Sequence, residues 1–143
     1  MEVKLVVDKN ILVAKITTIE KCLNKVKEKR SATIAEFMID EDSQDIVLFN
    51  LMQAIQGCVD MAAHIVSDEG YGMAGSMNEF FYLLSGRSVI SVELQEKLIR
   101  AVGFRNLVVH EYAKLDLNQV YDIATNGIKD LEDFIGVIVR RFA

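Results

Sequence analysis

Apolar residues return at steps of three and four along most of this chain, the repeat of one face of an α-helix. Leu12, Ile16, Ile19, Leu23 and Val26 form the first such stripe. Asp8 or Asn10 can cap the helix that carries it, and the charged stretch ending at Arg30 should fray it. Val47, Leu48, Leu51, Met52, Ile55, Val59, Ala62 and Ile65 make a second, broader face, wide enough to be covered on more than one side. Its helix should open in the acidic segment Asp40-Glu41-Asp42, where negative charge favours a helix N-terminus, and run to about Ser67.

The stretch Glu69-Gly70-Tyr71-Gly72-Met73-Ala74-Gly75 breaks this pattern. Ser76, with Glu79 three residues on, is a capping-box signature for a short helix through about Leu84, ended by Gly86. A further helix should start at or near Ser91 and carry Leu94, Leu98, Ala101, Val102 and Leu107. The last follows Asp116 or Asn118, with Val120, Ala124, Ile128, Leu131, Ile135 and Ile138 on one face. Proline is absent, which suits long helices, and no convincing strand occurs beyond a doubtful Val3–Val7. The expected fold is all-α: an up-and-down bundle of four long helices plus one short helix, in a single domain over residues 1–143.

Composition agrees with one ordinary domain. Apolar residues are 51% and charged residues 26% of the chain, and unbroken apolar runs are only a few residues long. A spanning helix needs roughly 20 apolar residues, so no membrane association is expected. No signal peptide pattern is seen, and Cys22 and Cys58 sit in helical patterns without metal-type spacing, so the expected compartment is the cytoplasm.

The net charge of −5 hides an asymmetry. Residues 1–30 balance to +4, residues 31–86 hold nine acids and no Lys or Arg, and residues 87–114 return to +2. Such a separation suits a protein with two kinds of partner, although ordinary solvated helix surface would give the same counts.

The basic block contains RNLVVHEY, residues 105–112. Arg105 falls on the stripe of Leu98, Ala101, Val102 and Val109, where an apolar residue belongs, and Tyr112 extrapolates to the same face. Asn106 and His110, four apart, form a polar pair beside it. Arg105 and His110 would lie about 140° apart on an ideal helix. One ligand could meet both only if the helix loosens after Val109 or if both border a groove. The residue types allow two readings. Arg105 could pair with a carboxylate of another helix while His110 caps a carbonyl. Alternatively, a guanidinium that grips phosphate oxygens and an imidazole that moves a proton near neutral pH could break a phosphodiester. With the neighbouring ribose 2′-OH as nucleophile, that chemistry requires no bound metal.

Arg105, four residues, His110, one residue, then Tyr112 resembles the R-x4-H-x-Y motif of HepT-like toxins of the HEPN superfamily. The run Gln56-Gly57-Cys58-Val59-Asp60-Met61-Ala62-Ala63-His64-Ile65 is similar to the second-helix signature of that family. The resemblance implies a HEPN-like fold and a metal-independent endoribonuclease, the toxin of a toxin–antitoxin pair. It implies a homodimer whose two motifs share one cleft, with Arg105 and His110 catalytic and Asn106 positioning them or the phosphate. It also implies an MntA-like minimal nucleotidyltransferase (MNT) antitoxin that transfers AMP to Tyr112, with RNA as substrate and no cofactor. The alternative is a non-catalytic helical module that binds nucleotide or substrate for a nucleotidyltransferase partner. Asp60 and His64, four apart on one helix, are expected to be a hydrogen-bonded pair rather than metal ligands. Ser85-Gly86-Arg87-Ser88 is expected to be a turn, too short for a phosphate loop.

Overall fold

Side-chain caps set the helix starts. In the computed structural model, which describes residues 7–143, α1 spans Lys9–Lys29. It begins where the Asp8 carboxylate accepts from the backbone N–H groups of Asn10 (3.0 Å) and Ile11 (3.2 Å). The possible strand at Val3–Val7 lies, apart from Val7, outside the described residues.

A short helix that the sequence pattern did not announce comes next. α2, Ile34–Met38, is capped by Thr33, whose hydroxyl accepts from the Glu36 N–H at 3.2 Å. Its Phe37 is fully buried and meets Tyr121 edge to face, with ring centroids 5.3 Å apart. The bundle therefore has two short helices where one was expected.

α3, Glu41–Glu69, is the central post. Asp40 caps it, accepting from the Ser43 N–H (3.1 Å) and hydroxyl (2.8 Å), and Gly70 ends it in the left-handed conformation at φ 67°. Leu51, Ala54, Ile55, Cys58, Met61, Ala62 and Ile65 are all buried, so α3 is covered on several sides. α1 packs along it at close range: a Cβ added to Gly57 would stand 2.6 Å from Ile19 Cγ1. By length and average composition α3 is apolar enough to cross a bilayer, a test that the core helix of a helical bundle also meets. Most of its apolar side chains are buried in the bundle interior, Phe49 being an exposed exception, and Asp45 and Asp60 lie within the same helix.

α4, Met77–Gly86, starts with a displaced capping box. The Ser76 hydroxyl accepts from the Glu79 N–H at 3.4 Å, and the Glu79 carboxylate reaches back to the N–H of Gly75 rather than Ser76. A turn through Arg87 and Ser88 leads to α5, Val92–His110, capped by Ser91 at 3.0 Å from the Leu94 N–H. Buried Gln95 of α5 is hydrogen-bonded to Ser85 of α4, fixing the two helices together.

The last element is nearly continuous but not uniform. α6, Leu117–Asp122, passes through a π turn at Ile123–Gly127 into α7, Ile128–Phe142, without leaving helical backbone angles. A wide turn disturbs the usual ladder of carbonyl acceptors. Here Arg30 donates to the Ala124 carbonyl at 2.9 Å, and the Tyr121 hydroxyl donates to the Ser31 carbonyl at 3.2 Å. Lys27 pairs with Glu132 at 2.8 Å, so the end of α1 is tied to the last helix at three points. Phe134 of α7 closes the core edge-on against Phe81 of α4, with centroids 5.7 Å apart. No strand occurs among the described residues; the fold is an all-α bundle.

Candidate active site

α5 changes character partway along. Its first part buries Leu94, Gln95, Leu98, Val102 and Phe104. From Arg105 to Gln119 no residue is fully buried: Val108, Leu115 and Leu117 rest half-buried against the core, and full burial resumes at Val120. The motif thus occupies a projecting helix end and the turn after it. This explains why Arg105 can stand in line with Leu98 and Val102 without being desolvated: the core stops one turn before it. Val109, on the same stripe, is 51% exposed.

Within that segment the structure joins two of the four motif residues directly and leaves a third one helical turn away. The Arg105 guanidinium donates to the Asn106 side-chain carbonyl at 3.1 Å. Asn106 and His110 lie one helical turn apart on a common face, because α5 stays helical to His110 rather than loosening after Val109. The two Cα–Cβ directions of Arg105 and His110 therefore remain far apart around the axis. The long arginine side chain narrows the gap by swinging towards Asn106. Among the described residues, no ion pair joins Arg105 or His110 to a carboxylate.

Tyr112 is placed differently from the extrapolated wheel. Glu111 leaves the helix at φ −138°, ψ 44°, and Tyr112 opens a 3-10 turn over Tyr112–Lys114. The side chain is 61% exposed. It is thus a tip residue and does not share the Arg105 stripe. No glycine or proline marks this break, so the sequence carried no local signal for it.

The Asp60–His64 pair also resolves otherwise. Asp60 accepts from Gln56 at 2.9 Å, whereas His64 Nε2 faces the Asp68 carboxylate at 3.2 Å. Asp68 also accepts from the Asp8 N–H at 2.9 Å, so this cluster belongs to the start of α1 and the end of α3. Among the described residues no group of three or more His, Cys, Asp or Glu is arranged to hold a metal ion. Burial pushes the Cys58 thiol up to about 12 and raises that of Cys22, which suits packing rather than nucleophilic roles. A groove of about 630 Å³ between α1 and α3, lined by Lys21, Lys25, Phe49 and Gln53 among others, includes none of the motif residues.

The comparisons bear on this geometry. A family model described as Ribonuclease HepT-like matches residues 19–138. The chain is 33% identical over 129 residues to a protein of Shewanella oneidensis named mRNA nuclease HepT, covering 90% of this chain and 96% of that protein. It is 27% identical over 112 residues to one from Aphanizomenon flos-aquae named tRNA nuclease HepT, covering 78% of this chain and 76% of that one. Among solved structures it is similar to a tri-AMPylated Shewanella oneidensis HEPN toxin in complex with MNT antitoxin. There the TM-score is 0.85 at 32% identity, covering 92% of this chain and 98% of that one. A cytosolic Bacillus subtilis protein, YutE, has the same fold, with a TM-score of 0.81 at 17% identity.

Proposed function

The chain belongs to the HepT-like ribonuclease family, and from that premise we propose that it is an endoribonuclease toxin acting on RNA in the cytoplasm, with Arg105 and His110 as its catalytic residues. The observation that carries this reading is the polar trio at the projecting end of α5, with Arg105 half-buried and Asn106 and His110 exposed. The Arg105 guanidinium is hydrogen-bonded to Asn106, which lies one helical turn from His110, and among the described residues no carboxylate pairs with either Arg105 or His110. Such a cluster suits a phosphodiester. The Arg105 guanidinium grips the non-bridging oxygens and stabilises charge that develops on phosphorus, while Asn106 holds its orientation. His110 takes the proton of the ribose 2′-OH, whose oxygen attacks the adjacent phosphorus. The bond to the 5′-oxygen breaks, that oxygen gains a proton, and a 2′,3′-cyclic phosphate remains. The nucleophile is part of the substrate, so the step needs no metal-bound water.

A homodimer completes the site. One His110 can accept a proton while that of a second copy donates one, and two Arg105 side chains can flank a single RNA backbone in a shared cleft. We further assign Tyr112 as the acceptor of AMP from an MNT-type antitoxin. Its exposed phenol at a turn tip is accessible to another enzyme. The phenol oxygen would attack the α-phosphorus of ATP and release pyrophosphate. The added bulk and negative charge, two residues from His110, would then repel an incoming RNA backbone.

The test is cleavage of RNA in EDTA by the purified chain, with cyclic phosphate ends on the products. His110→Ala should abolish cutting and keep the helical circular dichroism signal. Retained cutting in that variant would overturn the assignment. Intact mass after co-expression with an MNT-type protein and ATP should show AMP additions that Tyr112→Phe loses.

A further inference from the structure

The basic surplus of residues 1–30, a balance of +4 in a chain of net charge −5, takes no part in the site at the end of α5. Most of it lies on α1, and two of its lysines border the groove that α1 forms with α3. Lys21 and Lys25 stand one turn apart, both exposed. Among the described residues neither makes an ion pair. Across the groove α3 presents Phe49, 62% exposed, with Asn50 and Gln53 close by in the chain. The Phe49 ring is left out of the core that buries Leu51, Ile55 and Val59 of the same helix. Gln53 makes no hydrogen bond among the described residues, and Asn50 uses only its amide N–H, on the Ile46 carbonyl at 2.8 Å. Among the described residues the one carboxylate in the lining, Asp60, already accepts from Gln56 at 2.9 Å. Asp45, one turn before Phe49, lies outside the lining.

We propose that this groove is a second RNA-binding site, which holds a single-stranded stretch of the substrate away from the bond that is cut. A base stacks on Phe49, the amides of Asn50 and Gln53 meet base edges, and Lys21 and Lys25 hold neighbouring phosphates. The inference rests on the ribonuclease reading above and adds how the chain grips its substrate. An aromatic face stacks any base, which suits an enzyme that must accept varied sequence. Lysines one helical turn apart, about 6 Å between Cβ atoms, can follow a phosphodiester backbone. The groove volume of about 630 Å³ falls within the range of about 300–1,000 Å³ usual for small-ligand sites, so it admits a nucleotide rather than a folded domain. Bases in a duplex are stacked on one another and cannot reach Phe49, so the groove selects single strands. The arrangement also reconciles an acidic protein with a polyanionic substrate, because unpaired positive charge is concentrated where the strand would lie.

The experiment is fluorescence anisotropy with a labelled single-stranded 2′-O-methyl oligonucleotide, which has no free 2′-OH and is not cut. Phe49→Ala should weaken binding about fivefold or more, and Phe49→Tyr should keep it. The double variant Lys21→Gln, Lys25→Gln should lower the slope of log affinity against log salt by about 1.4, the loss of two phosphate contacts on a single strand. All three side chains are exposed, so the variants should fold with unchanged helical signal. Cys22, half-buried in the same groove, gives a second readout: bound oligonucleotide should slow its alkylation, while buried Cys58 stays silent. With a long single-stranded RNA as substrate, Phe49→Ala should raise KM and leave kcat unchanged. Equal affinity of Phe49→Ala and wild type overturns the inference, and so does undiminished alkylation of Cys22 at saturating oligonucleotide. Variants that bind RNA normally but no longer hold a co-expressed MNT-type protein also overturn it, since the groove is then a protein-docking surface. Wild type that cuts RNA with an affinity indifferent to Phe49 removes this site and leaves the function intact. Binding that depends on Phe49 and the two lysines, in a chain that does not cut, keeps this site and removes the catalytic reading.

Discussion

Gly57 and Gly103 sit inside the two long helices that matter most here, and they are opposites. At Gly57 a side chain would collide with Ile19, which is itself buried and cannot move aside. At Gly103 a side chain would enter open space. The first glycine is explained by the fold of one chain. Nothing in the fold explains the second. The same contrast holds for their surroundings: α3 commits its apolar residues to the core from Val47 to Val66, whereas α5 buries nothing beyond Phe104.

Core and motif substitutions should separate most widely. Leu51→Ala, in the fully buried part of α3, should lower unfolding free energy by about 2–5 kcal/mol in urea titrations. Asn106→Ala, on the exposed end of α5, should change it by no more than about 0.5 kcal/mol while slowing RNA cleavage. A motif variant that melted like a core variant would erase the distinction between the two regions.

The glycines themselves give the next effect, with opposite signs. Gly57→Ala should cost about 1–3 kcal/mol through overpacking against Ile19. Gly103→Ala should gain up to about 1 kcal/mol in helix propensity. Equal signs would mean that one of the two environments is misdescribed.

The smallest effect concerns pH. Hydrogen bonds from the Ser43 backbone and hydroxyl hold the Asp40 carboxyl below its usual value. Its pKa is therefore lower folded than unfolded. The stabilisation is fully present above the unfolded value and disappears as pH falls through the folded one. Asp40→Asn should flatten part of the acid limb of the stability curve, and no acidic change should appear on substituting the motif residues Arg105 or Asn106.

Features built from neighbouring residues were legible in the sequence. Asp8, Asp40, Ser76, Ser91 and Asp116 each accept from a backbone N–H two or three residues on, so chain-local chemistry located five helix starts. α2 escaped because five residues are too few to show a period, and its place depends on Phe37 meeting Tyr121, far along the chain. The π turn escaped because its Ala124 carbonyl is satisfied by Arg30, which no local pattern could reveal. At the candidate site, the identity of the motif residues was legible from resemblance. The reach of Arg105 to Asn106 and the break before Tyr112 were not, since both depend on where the core ends under α5.

The ties between α1 and the last helix also bear on timing. A ribosome delivers this chain from its N-terminus, so Arg105 to Tyr112 are synthesised before α7. Until α7 emerges, Phe81 lacks Phe134 and α5 lacks one of its supporting walls. The segment carrying the motif is thus made before the helix that helps to brace α5. The order of synthesis leaves Arg105 to Tyr112 without their full support until Ile128–Phe142 has been added and packed.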